Sequence, residues 1–468
     1  MPAGPGANRV PPKFGTSGLR GLVTELTPEL VADYTRAFLA ACDAGTGLCI
    51  GRDLRPSSPD IAAVVAQAAA GTGLPVTDCG ALPTPALAHW AMAQGQSAIM
   101  VTGSHIPADR NGLKFYTPAG EITKADEAAI LAALGQPVGQ RAVQIAPSDA
   151  AKSAYRAKYV NGFGSILHSA RIGIYAHSAV GRDILADILT DLGADVVVID
   201  PSDQFIPVDT EAVDPVLRNR LPALCADHAL DALVSTDGDS DRPLVADEMG
   251  QIVPGDILGQ ICVAALGADT VVTPVSSNSS LEALGLAPRV IRTRIGSPYV
   301  IDGMRQAGGQ VAGYEANGGF LLGFDWTGPA GGVLTALPTR DAVLPILIPL
   351  WQARLQGAPL SALVTAHRLR VTATDRLPEI PTDQSARWIA ALIGDSAARA
   401  AFLPALEDAR LDLTDGLRMH LADGRVLHLR PSGNAPELRV LIEAPDADQA
   451  RAFMDDVLPR VRAAVTRA

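Results

Sequence analysis

Three times along the chain a short apolar run gives way to a polar loop and then to apolar residues at helical spacing. The runs at residues 48–50, 172–175 and 271–275 lead into GRDLRPSSPDIAAVVAQAAA, AHSAVGRDILADILTDLG and SSNSSLEALG, and further apolar runs follow at 75–78, 196–200 and 290–293. A β-rich run, a helical period and a second β-rich run together read as a strand–helix–strand unit. The threefold recurrence predicts three similar α/β domains with mixed, largely parallel sheets, with polar loops at the C-terminal strand ends where such sheets bind ligands. The chain after about residue 368 is patterned differently. Segments 417–421, 426–429 and 438–443 alternate or run apolar, Asp423-Gly424 marks a hairpin turn, and 446–465 reads as a closing helix kinked or split at Pro459. This predicts a C-terminal α+β domain, and the expected divisions are residues 1–148, 149–255, 256–368 and 369–468.

Composition narrows the function. With 48% hydrophobic, 19% charged and 4% aromatic residues, the cores must be built from aliphatic side chains. A net charge of −12 excludes a general affinity for nucleic acid or anionic membrane, both of which need a basic face. An anionic ligand would therefore require a locally basic cleft. The opening MPAGPGANRVPPKFG lacks the apolar segment of a secretory signal, and no stretch approaches about 18 uninterrupted apolar residues, so a cytoplasmic protein is expected. Cys42, Cys49, Cys79, Cys225 and Cys262 are scattered and form no C-x-x-C pair, which fits reduced, mostly buried thiols.

Four loops carry candidate chemistry. In MVTGSHIP (100–107) a strand over 98–101 feeds a loop holding Ser104 and His105, and Asn111-Gly112 reads as a turn that brings Lys114 back beside them. A serine exposed on such a turn is a nucleophile, or a phosphoryl carrier among cations, or a member of an ordinary polar turn. DGDSDR (237–242) follows the apolar run 232–236, and its alternate carboxylates Asp237, Asp239 and Asp241 converge hard oxygen ligands suited to Mg²⁺ or Ca²⁺. An EF-hand is disfavoured, because Arg242 takes the glycine position and Pro243 follows; a purely structural acidic turn is the other alternative. RPSGNAPELR (430–439) sets Arg430, Ser432, Gly433, Asn434 and Arg439 around a turn, which makes a phosphate cup or a β-turn with solvated arginines. GYEANGGF (313–320) offers Glu315 and Asn317 to vicinal hydroxyls, or is a surface turn, and residues 13–21 add a cationic, flexible loop.

Taken in order, FGTSGLRG, TGSHIP, DGDSDR, YEANGG and RPSGNAPELR resemble the α-D-phosphohexomutase superfamily over essentially the whole chain, most closely its bacterial phosphomannomutase/phosphoglucomutase branch. The resemblance implies four domains around one central cleft. It implies that Ser104 is the phosphoserine and that Asp237, Asp239 and Asp241 bind Mg²⁺ together with a phosphoserine oxygen. Arg20, His105, Lys114 and Arg242 would line the transfer site. Glu315 and Asn317 stand where the family holds the sugar 3- and 4-hydroxyls, and Arg430, Ser432, Gly433, Asn434 and Arg439 match the loop for the non-reacting phosphate. The chain departs from the family pattern at Gly103 and Ile106 (A-S-H-N-P), at Asn317 and Gly319-Phe320, at N-A-P in place of T-E-P, and at Pro298, where a lysine or arginine often meets the substrate.

The implied reaction interconverts hexose 6-phosphate and hexose 1-phosphate, with mannose ahead of glucose, through a phosphoserine enzyme and a hexose 1,6-bisphosphate that also serves as activator. The alternatives are a phosphoglucosamine mutase and a metal-dependent sugar phosphatase. The expected partner is a small-molecule phosphosugar, with no nucleic acid and no membrane, on a monomer or homodimer.

Overall fold

A computed structural model describes residues 12–15, 18–137, 144–432 and 436–467. The three predicted strand–helix–strand units are present. Strand Leu48–Arg52 leads through helix Ser58–Ala70 to strand Val76–Ala81, and strand Arg171–His177 through helix Arg182–Asp191 to strand Asp195–Pro201. Strand Thr270–Pro274 passes through the single helical turn Ser280–Ala283 to strand Arg289–Thr293. In all three the two strands pair in parallel.

The sheets are mixed, because each parallel core is extended by antiparallel neighbours. In the first, Ile145–Pro147, Val76–Ala81, Leu48–Arg52 and Ser97–Val101 are parallel, and Arg110–Thr117, Leu19–Leu22 and Lys13–Phe14 continue antiparallel. The second sheet ends in the antiparallel pair Ala232–Thr236 and Pro243–Ala246, joined by the acidic loop. The third ends in Val311–Tyr314, Phe320–Leu322 and Leu337–Asp341, so the Glu315 loop is the hairpin between its first two antiparallel strands. The last sheet, from Val371–Pro378 to Arg410–Asp412, is wholly antiparallel.

One local expectation is corrected. Asn111-Gly112 forms no turn: both residues lie inside strand Arg110–Thr117 and pair with Gly21 and Arg20. The Asn111 amide donates to the Ser57 and Ser58 hydroxyls, and a Cβ at Gly112 would meet the Leu19 carbonyl oxygen at 2.3 Å, so close strand packing selected these residues. The closing helix Ala447–Arg467 runs through Pro459 without splitting.

One apolar core runs continuously through the first three sheets, from Cys49 to Val364. Within it Tyr155 and Tyr159, on helix Ala150–Phe163, both donate to the buried Asp341 carboxylate at the end of the third sheet. The last sheet has its own core, from Leu377 to Val465. Cys49, Cys79, Cys225 and Cys262 are buried, Cys42 is half-buried, and all five are free thiols. Among the described residues no helix is long and apolar enough to cross a membrane.

Candidate active site

Ser104 sits on the loop that leaves the parallel strand Ser97–Val101, and its backbone adopts the left-handed conformation, with φ 56°. A non-glycine residue there is strained by about 1–3 kcal/mol, so the surroundings must enforce it. They do so with buried hydrogen bonds. The Ser104 amide donates to Thr102 Oγ1 at 2.8 Å, and Arg55 Nη2 donates to the Ser104 and Ile106 carbonyls at 2.8 and 2.6 Å. Arg55 Nη1 takes the Pro107 and Arg110 carbonyls, and its Nε is paired with Asp53. The guanidinium lies where a side chain at position 103 would be, since a Cβ on Gly103 would meet Arg55 Cζ at 2.7 Å. Glycine at that position thus has a steric cause.

The second loop meets the first across the interface between the two sheets. The Ser104 hydroxyl donates to Asp237 Oδ2 at 2.7 Å and lies 3.2 Å from His105 Nδ1. Gly238 makes the approach possible, because a Cβ there would meet the Ser104 carbonyl oxygen at 2.6 Å. Ser240, also left-handed at φ 58°, locks the acidic loop through Thr236 and the Gly181 amide. Ser104 is therefore buried at 1% exposure, not exposed on a turn as the sequence suggested, because the acidic loop covers it.

Asp237, Asp239 and Asp241 are all buried, and one carboxylate oxygen of each lies within 4.8 Å of the other two. Their outer oxygens are spoken for. Lys114 Nζ donates to Asp239 and Asp241 at 2.6 Å each, Thr84 donates to Asp239 at 2.6 Å, and the Asp241 and Arg242 amides donate to Asp237 Oδ1. Asp239 Oδ1 and Asp241 Oδ1, by contrast, are buried without a hydrogen-bond partner. These two oxygens, that of Asp241 with the Arg242 cation 3.7 Å away, lie beside a third carboxylate and a hydroxyl and fit a hard divalent cation, which would supply the missing ligand contacts.

The charges of the cluster respond to this packing. Burial, then Asp239 and Asp241, pushes the Asp237 carboxyl well above the usual carboxylate range. For Lys114, burial pulls its pKa down, but Asp239 and Asp241 outweigh it and the ammonium is retained. His105 is lowered to about 4 by burial and by Arg242, so its imidazole is neutral at pH 7. Arg20 is lowered to about 10 by burial and by the neighbouring Arg242 and Arg340.

Sequence reasoning missed Arg340. From the third sheet its guanidinium reaches Asp241 Oδ2 at 3.0 Å and Glu315 Oε2 at 3.4 Å, and its Nη1 lies 3.2 Å from the Ser297 hydroxyl. It therefore joins the acidic loop to Glu315 of the third-sheet hairpin, and brings a cation beside Pro298, where the sequence has none. A charged residue followed by the fully buried apolar stretch 342–350 was the available signal.

Ser104, His105, Lys114, Asp237, Asp239, Asp241, Arg242 and Glu315 are thus brought together directly or through Arg340, with Arg20 within charge range. Asn317 lies in the same hairpin as Glu315, and its carbonyl accepts from Thr210 of the second unit at 2.9 Å. Arg430 and Arg439 face each other on adjacent strands of the last sheet, paired to Asp415 and Glu437. Ser432 is buried between those strands, and Gly433 and Asn434 lie outside the described residues.

Comparison with known proteins supplies an independent line. Residues 11–137 match the family described as phosphoglucomutase/phosphomannomutase, alpha/beta/alpha domain I; residues 254–370 match its alpha/beta/alpha domain III, and 390–460 its C-terminal domain. The chain is 45% identical over 458 residues to a phosphomannomutase of Sinorhizobium fredii, covering 94% of this chain and 96% of that protein. It is 42% identical over 464 residues to a phosphomannomutase of Salmonella muenchen, covering 97% and 96%. Among solved structures, a phosphoglucomutase/phosphomannomutase family protein of Burkholderia thailandensis superposes with a TM-score of 0.77 at 20% identity, covering 96% of this chain and 97% of that one, a likeness of fold.

Proposed function

We propose that this chain, which belongs to the phosphoglucomutase/phosphomannomutase family of hexose phosphate mutases, interconverts mannose 6-phosphate and mannose 1-phosphate through a phosphorylated Ser104 and a hexose 1,6-bisphosphate intermediate. The observation that carries this reading is the 2.7 Å contact between the Ser104 hydroxyl and Asp237, which unites a nucleophile from one unit with three carboxylates from the next.

In the forward direction the bond between phosphorus and Ser104 Oγ breaks as the phosphorus bonds to the free hydroxyl oxygen of the sugar monophosphate. The proton of that hydroxyl passes to His105, the neutral imidazole beside Oγ. Lys114, Arg242 and Arg20 surround the transferring oxygens with positive charge. Asp237, Asp239 and Asp241 would hold Mg²⁺ with a phosphoserine oxygen, and the ion would supply further charge neutralisation to the transferring group. Glu315 and Asn317 accept and donate to the 3- and 4-hydroxyls, while Arg430, Ser432, Gly433, Asn434 and Arg439 hold the phosphate that does not react. The bisphosphate then turns end for end, Ser104 takes back the other phosphoryl group, and the same set of contacts serves both orientations. Burial of Ser104 supports transfer to sugar over transfer to water.

All these residues come from one chain, so a monomer suffices and a homodimer is compatible. A cytoplasmic location fits the phosphosugar substrate. The test is an assay with mannose, glucose and glucosamine phosphates, with and without the matching 1,6-bisphosphate, together with intact mass for phosphate on the protein. Mutase product that depends on the bisphosphate and on Mg²⁺ supports the reading; stoichiometric release of inorganic phosphate would favour the sugar phosphatase, and preference for glucosamine phosphate the phosphoglucosamine mutase.

A further inference from the structure

The loop 202–214 of the second unit takes no part in the chemistry above, yet it spans the cleft between the serine and the sugar hairpin. It is pinned at three points. The Ile206 amide donates to Ser178 Oγ at 2.7 Å, Phe205 lies under the Arg55 guanidinium at 4.0 Å, and Thr210 Oγ1 donates to the Asn317 carbonyl at 2.9 Å. Val208 and Val213 are buried and anchor the loop from below. Between these anchors the Glu211 amide donates to Asp209 Oδ1 at 3.1 Å, which fixes the backbone of Glu211 one residue from the tether to the sugar hairpin.

Glu211 is exposed to the cleft, and among the described residues its carboxylate has no hydrogen-bond or ion-pair partner. Besides Asp209 of its own loop, the charges bearing on it are Arg242 beside the serine, Arg439 of the last domain, and Glu315 of the facing hairpin. An unpartnered acceptor held on a fixed loop, opposite a second carboxylate that reads hydroxyls, is suited to a polyol lying between them.

We infer that Glu211 is a specificity-determining residue that accepts a hydrogen bond from a ring hydroxyl of the bound hexose phosphate, on the side of the sugar away from Glu315, with Thr210 as the residue that positions it. This rests on the mutase reading of the site and adds to it a second hydroxyl-reading carboxylate, from a different domain.

The test compares wild type, E211A and E211Q on mannose 1-phosphate and on its 2-, 3- and 4-deoxy analogues. The expected result is a loss in kcat/KM on the parent sugar for E211A of roughly ten- to a hundredfold, the size of a hydrogen bond to a charged group. On one deoxy analogue wild type and E211A should be equal, because the bond is absent from both. An equal loss on every analogue would assign Glu211 to pairing with the arginines, and no loss on any would remove it from the site; either overturns the inference. If E211A does not fold, E211Q, which keeps the shape, carries the same comparison. A wild type without mutase activity on any hexose phosphate would instead overturn the reading beneath.

Discussion

The junction of the first two units and the sheet of the last domain are both polar and both arginine-rich, yet they are held in opposite ways. Around Ser104 the polar groups are buried in a base whose apolar core is continuous over three sheets, and Ser104, Lys114 and Arg340 each find a partner across an interface. The last domain closes on its own core, and its contacts with the third unit are polar. Glu443 accepts from Ser279 and pairs with Arg370 and Arg418, Asn278 donates to the Arg370 carbonyl and Thr372, and Asp415 accepts from the Ile295 amide at 3.0 Å while holding Arg430. Polar contacts exchange with water at little net cost, whereas a shared apolar core does not. On the proposed function this contrast would let the base hold the reacting atoms while the last domain moves onto the distal phosphate.

The largest effect expected from this contrast is at Ser104. Ser104→Ala should lower mutase turnover by more than about a thousandfold, because the proposed phosphoryl carrier is lost. Its stability should fall by only about 1 kcal/mol, since one buried hydroxyl bond is lost. Steady-state rates and a denaturant titration read both, and substantial residual turnover would break the distinction. In the last domain Arg439→Gln should raise KM by roughly ten- to a hundredfold with a smaller change in kcat, the loss of one charged hydrogen bond to a group that does not react. A pure kcat defect would place Arg439 with the chemistry instead.

Two smaller effects address how the last domain is attached. Glu443→Gln leaves Arg370 and Arg418 short of a counter-charge, and hydrogen exchange in residues 369–467 should speed up while exchange around Ser104 stays unchanged. Equal acceleration in both regions would mean that they unfold as one. His428, buried with Nε2 2.6 Å from the Asp415 carbonyl, has its pKa lowered to about 4, by burial above all. Its unfolded value is about 6.5. The neutral form is favoured by folding, so this stability is fully present above about pH 6.5 and is lost as pH falls towards 4. It amounts to about 2 kcal/mol between pH 7.5 and 5, and His428→Gln should flatten the acid slope of the last domain's melting by that amount.

The loops that carry chemistry were readable before any coordinates. DGDSDR announces itself because three hard ligands are packed into few positions, whereas YEANGG by itself reads equally as a surface turn and was singled out through the family resemblance. Arg55, Thr84 and Arg340 were not readable in this way. Each is an ordinary residue in its own segment, and its importance arises from groups 49, 155 and 99 positions away. Asn111-Gly112 shows the converse error. A pair that usually turns the chain lies here in a strand, because Leu19 and Ser58 crowd it from distant segments.

Hydrophobic period and turn chemistry act over a few residues, and at that range the sequence alone settled the recurring α/β units, the antiparallel last domain and the identity of the polar loops. What it left to the tertiary structure was the burial of Ser104 beneath Asp237, the seating of Arg340 between two loops, and the sharing of one apolar core by the first three sheets while the last sheet keeps its own. Those depend on how surfaces from distant segments fill space against each other, and no local pattern of residues encodes such a fit.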